Sequence, residues 1–171
     1  MSRLELAIAA TIIGVLIGIV SYRANNLMAQ AERVNVTQVK GRIRAALGLE
    51  VALRVARGRS ASAAELAGSN PMVLLQTPPG NYLGVLRDAD PARIDPGHWY
   101  FEASTRRLIY VVSHRGAFVS GSDGTPRAEF AIQLRYLDVD RNGRFDAGGD
   151  TLYGVDFAPA TAFSWKNTND D

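Results

Sequence analysis

Residues 4–20, LELAIAATIIGVLIGIV, are almost wholly apolar, with one carboxylic acid, Glu5, just inside the start of the run. From Leu6 to Tyr22 the chain carries no charge. That length is at the lower limit for a helix crossing roughly 30 Å of hydrocarbon. A secretory signal peptide has related ingredients, here a basic start at Arg3, an apolar core and small residues near Ala24. An acid at the front of the core is foreign to that class, so the segment is read as a retained transmembrane-type helix.

The pattern then changes without a break. No proline occurs from Ala29 to Ala56, and Val36, Val39, Ile43, Leu47, Val51 and Val55 recur at spacings of three and four. This spacing marks an amphipathic helix. Charges at Arg33, Lys40, Arg42, Arg44, Arg54 and Arg57 occupy its other faces, and Gly58 is placed to stop it. Read as one element, residues 2–57 predict a helix on the order of 80 Å long. Its first half is apolar all round and its second half along one stripe.

Beyond Gly58 the texture changes again. GRSASAAELAG predicts a loop entering a short helix around Ala61–Ala67, with Ser60 or Ser62 as its cap. The stretch 69–98 holds five of the seven prolines and reads as an irregular connection. HWYFEAS, RRLIYVVSH, AEFAIQLRYLDVD and DTLYGVDF are rich in aromatic and β-branched residues and are separated by turn residues. They predict a four-stranded antiparallel sheet covering the Val39–Val55 stripe. The expected class is therefore α+β. The organisation is 1–28 for the hydrophobic helix, 29–57 for its amphipathic half, 58–98 for the connection and 99–171 for the sheet with its acidic loop and tail.

Composition narrows the chemistry. The 171 residues include no cysteine, which excludes disulfides, thiolate catalysis and cysteine metal sites. A net charge of +2 implies no obligatory nucleic-acid partner. The arginines of GRIRAALGLEVALRVARGRS are the candidate DNA-contacting surface, but they lack interleaved aromatics and read first as a solvated helix face. His98 and His114 have no metal-ligand spacing, and there is no G-x-S-x-G, P-loop or dinucleotide fingerprint. These features argue against an enzyme.

One motif carries possible metal chemistry. DVDRNGRFDAGGD places Asp138, Asp140 and Asn142 at alternating positions ahead of Gly143. Oxygen donors at positions 1, 3 and 5 with glycine at 6 open an EF-hand-type calcium loop, in which the carbonyl of Arg144 is a further donor. Position 12 is Gly149 in place of a bidentate glutamate, so Asp146 or Asp150 would have to close the shell. Ca²⁺ binding and a plain acidic β-turn both stay open.

The N-terminal combination of a hydrophobic first residue, Met1, with Glu5, Gly14 and a long amphipathic helix containing AER resembles the mature N-terminus of type IV pilin-like proteins, the class of pilins and type II secretion pseudopilins. The likeness covers about the first 55 residues. It implies a chain processed by a prepilin peptidase, commonly methylated at its new N-terminus, with Met1 where phenylalanine is commonest. It also implies that Glu5 pairs with the N-terminal amine of a neighbouring subunit during assembly. Gly14 and Gly18 form a G-x-x-x-G that suits close helix approach; in family filaments the helix often loosens near such positions. Many members carry a proline where this chain has Tyr22. The expectation is a homo-oligomeric helical filament, built by pilus or secretion machinery from subunits held in the bacterial inner membrane and exposed as an extracellular pilus. The alternatives are a periplasmic pseudopilus and a monomeric membrane-anchored binding domain.

Overall fold

The computed structural model describes residues 2–146 and 149–166, and for Ala9, Ser60 and Ala61 the backbone alone. The apolar and amphipathic halves form one helix, α1, Arg3–Ala56. It ends because Gly58 adopts a left-handed φ of +70°, which lets its N–H donate to the Val55 carbonyl and the Arg59 N–H to the Arg54 carbonyl. Those two bonds satisfy carbonyls that a helix end otherwise orphans. The following short helix is a 3₁₀ segment, Ser60–Leu66. No side chain caps it, and the Ser62 hydroxyl instead donates to the Arg59 carbonyl.

Seven strands follow: β1 Tyr82–Leu86, β2 Trp99–Glu102, β3 Arg107–Val111, β4 Phe118–Ser120, β5 Arg127–Leu137, β6 Thr151–Pro159 and β7 Phe163–Trp165. The main sheet has the order β1-β2-β3-β5-β6, and β4 pairs with β7 in a second, two-stranded sheet. This corrects the four-stranded expectation. β1 lies within the stretch read as irregular, and it runs parallel to β2 while the other pairs are antiparallel. A parallel neighbour needs a long return connection, which residues 87–98 supply through a 3₁₀ turn at Pro91–Arg93.

Strand alternation divides the main sheet. Trp99, Phe101, Leu108, Tyr110, Phe130 and Phe157 face α1, where they bury Val36, Val39, Ile43 and Leu47. The opposite face carries a smaller cluster of Tyr100, Ile109 and Val111 under Leu86, Ala89 and Ile94. The Tyr100 hydroxyl there is sealed from solvent and has no hydrogen-bond partner among the described residues. Val55 is exposed, so the packed stripe ends before the helix does.

Among the described residues, the N-terminal half of α1 packs on nothing. Every described side chain from Ser2 to Arg23 is exposed, and Ala29 is the first buried residue. The helix contains an apolar window long enough to cross a membrane, none of it buried.

Candidate functional site

At the tip of α1, Ser2 caps the helix. The Glu5 N–H donates to the Ser2 hydroxyl at 3.2 Å, and the Ser2 N–H donates to Glu5 Oε2 at 2.9 Å. This is a capping box, which satisfies two N-terminal donors reciprocally. Within one chain Glu5 therefore has a local partner in Ser2. Met1, expected to supply the amine for such pairing, lies outside the described residues.

Gly14 and Gly18 lie in unbroken helix. A Cβ built on either meets nothing within 4 Å, so no contact among the described residues calls for glycine. Eighteen residues make about five turns, which places Gly14 and Gly18 on the same helix face as Glu32 and Val36, the face buried against the domain further along.

The acidic loop joins β5 to β6. Carboxylate oxygens of Asp138, Asp140 and Asp150 lie within 4.8 Å of one another. A calcium ion holds its oxygens at about 2.3–2.6 Å, so ligands around one ion are separated by up to about 5 Å, and the triad fits that requirement. Asp150, not Asp146, closes the group. Its Oδ1 accepts the Val139 N–H and its Oδ2 accepts the Asp146 N–H, each at 2.9 Å, which draws the two ends of the loop together. Asn142 is committed elsewhere: its amide donates to Asp140 and Asp146, and its oxygen accepts the Arg144 N–H at 2.7 Å. The Gly143 N–H donates to Asp138 at 2.8 Å and, with further local hydrogen bonds, holds that carboxyl below its ordinary pKa. Gly143 makes this turn with a φ of +76°.

No known protein family matches the chain, and no characterised protein or solved structure matches it.

A third feature escaped the sequence reading. Glu32, buried at 8% exposure, lies where α1 leaves the domain. It accepts the Tyr110 hydroxyl at 2.8 Å and the backbone N–H groups of Ser113 and His114 at 2.7 and 2.9 Å. The His114 ring lies beside the same carboxylate, with Nδ1 at 2.6 Å. Burial pushes the Glu32 carboxyl up, but the hydrogen bonds from Ser113, His114 and Tyr110 outweigh it and hold the group below the ordinary range. The available signal was spacing, because Glu32 continues the series Val36, Val39 and Ile43 as an acid in an apolar stripe.

Proposed function

We propose that this protein is a type IV pilin-like subunit that is held in the bacterial inner membrane by the apolar half of α1 and polymerises through that half into an extracellular filament. One observation carries the reading: the apolar segment projects wholly uncovered from a domain whose core starts at Ala29. In water such a surface must be covered. Lipid covers it in the waiting subunit, and helices of other copies cover it in the filament. Exchange of lipid for protein yields little hydrophobic gain, so close packing has to drive it, and Gly14 and Gly18 offer room for that approach. The Glu5 carboxylate is costly in an apolar interior unless paired, so it penalises misplaced subunits. Prepilin peptidase and assembly machinery are the implied partners.

The carboxylate triad at Asp138, Asp140 and Asp150 supports Ca²⁺ as a ligand that staples the loop in a domain without disulfides. By resemblance, a calcium loop also favours a second reading, a type II secretion pseudopilin whose filament stays in the periplasm.

Electron microscopy of sheared surface material from cells producing the native chain or Glu5→Ala, with mass spectrometry of the fibres, tests the proposal. Fibres of this protein from the native chain alone support it. Absence from both, with the protein confined to the envelope, favours the pseudopilin or a monomeric anchor. Fibres from both remove the role assigned to Glu5.

A further inference from the structure

The stripe with which α1 enters the domain is built largely of interchangeable aliphatic residues. If the helix moved by four residues toward its N-terminus, Ile43, Leu47 and Val51 would enter the sockets of Val39, Ile43 and Leu47. Hydrophobic burial is non-directional and discriminates weakly between such arrangements. Lys40 would meet the buried socket of Val36 and Arg33 that of Ala29, so basic side chains at those two positions also favour the observed register. The rim bonds from Arg42 to the Thr77 carbonyl and from Arg44 to the Phe157 carbonyl come from flexible side chains on the solvent side.

Glu32 is different in kind. In the observed register its carboxylate meets the Tyr110 hydroxyl and two backbone N–H groups, all converging from the end of β3 and the corner after it. In the shifted register Val36 would face those donors and leave them orphaned in a buried site. The donors cannot follow, because two of them are backbone and the third belongs to the core residue Tyr110.

We infer that Glu32 is a register lock: a positioning residue that fixes the axial and rotational setting of the globular domain on α1. It thereby fixes the length of apolar helix that projects. Its consequence for filament geometry rests on the proposed assembly, but the lock itself does not, because it operates within one chain.

The chain has no cysteine, so spin labels at Asn25→Cys on the projecting helix and Asp123→Cys on the domain are unambiguous. Electron–electron distance measurement on the full chain in detergent should give one narrow distribution for the otherwise native protein. The triple variant Glu32→Val, Val36→Glu, Lys40→Val moves the acid, and the apolar residue after it, along by one turn. The expected result is displacement of the helix by about 6 Å, four residues at 1.5 Å each, read as a shifted principal distance in a protein with native far-UV circular dichroism. Glu32→Leu alone should broaden the distribution. An unchanged distance in the folded triple variant overturns the inference. So does loss of the fold in that variant, because an acid that selects between registers would have the displaced one available. These outcomes are read without filaments and stand apart from the test of assembly.

Discussion

Ser2 and Glu5 satisfy one another at the tip of α1, each accepting the other's backbone N–H. Glu5 can thus serve two ends, capping the helix and carrying charge into an assembly, and one substitution separates them. Glutamine at this capping-box position keeps the reciprocal bond but removes the charge. If charge selects the subunit's place, Glu5→Gln should yield at least ten-fold fewer fibres than the native chain while helicity by circular dichroism is unchanged. Native fibre numbers from Glu5→Gln would assign the residue to capping alone.

Acid should weaken the domain through its buried carboxylates. Glu32, Glu102 and Glu129 all sit below the ordinary value of 4.5 because hydrogen bonds to the charged form outweigh burial. A carboxyl with a depressed folded pKa contributes stability that is present above its unfolded value and lost as pH falls through the folded one. The thermal midpoint should therefore fall progressively as pH drops below 4.5. In Glu32→Gln that acid-dependent fall should be smaller and the midpoint at pH 7 lower. The replaced bonds to a charged group put the loss at about 1.5–3 kcal/mol, measurable by urea unfolding.

The Tyr100 hydroxyl is buried without a partner among the described residues, an arrangement that costs about 1–3 kcal/mol where it occurs. Burial, together with the negative charge of Glu102, pushes its pKa up to about 12, so the group is a neutral phenol at any ordinary pH. Tyr100→Phe removes the orphan and keeps the ring. It should raise unfolding stability by about 1 kcal/mol, whereas a loss of stability would reveal a partner for the hydroxyl.

If the acidic loop takes Ca²⁺, saturating ion should raise the thermal midpoint, because a ligand that binds only the folded state stabilises it by about 2.7 kcal/mol at a hundred times its dissociation constant. Asp138→Asn and Asp150→Asn should each abolish the increment. Asp146→Asn should retain most of it, since that side chain lies outside the triad. Equal midpoints with Ca²⁺ and with chelator in the native chain would leave the loop as an acidic turn.

Within the core, Ile43→Ala should cost about 2–5 kcal/mol, the range for truncating a buried aliphatic. Val55→Ala, on an exposed position of the same predicted stripe, should stay within about 0.5 kcal/mol. Denaturant titration of the two variants compares them directly.

Those two residues also show what patterning can reveal. A spacing of three and four identified the helix and its buried side, and Gly58 identified its end, because both follow from local geometry. The same pattern could not say where the sheet stops covering the stripe, which is a tertiary matter, so Val55 looked equivalent to Ile43. β1 was hidden because Gly84 interrupts a five-residue strand flanked by proline-containing segments, while β4 and β7 have three residues each and form only through pairing. The alternating Asp138, Asp140 and Asn142 exposed the loop as a candidate metal site. Recruitment of Asp150 depends on how β5 and β6 pair. Glu32 lay in plain view within AER, but its role was illegible there, since its donors come from a corner more than 75 residues downstream.

The unbroken course of α1 has a mechanical meaning. A helix with a proline-induced break would yield at that point under tension, absorbing extension before load reached its far end. Here the hydrogen-bond ladder runs from the capped tip at Ser2 into the packed domain without a proline, and Gly14 and Gly18 are its weakest links only by intrinsic propensity. A pull on the globular part is consequently delivered along a stiff rod to the apolar end, and the anchorage of that end sets the force at which the chain comes away.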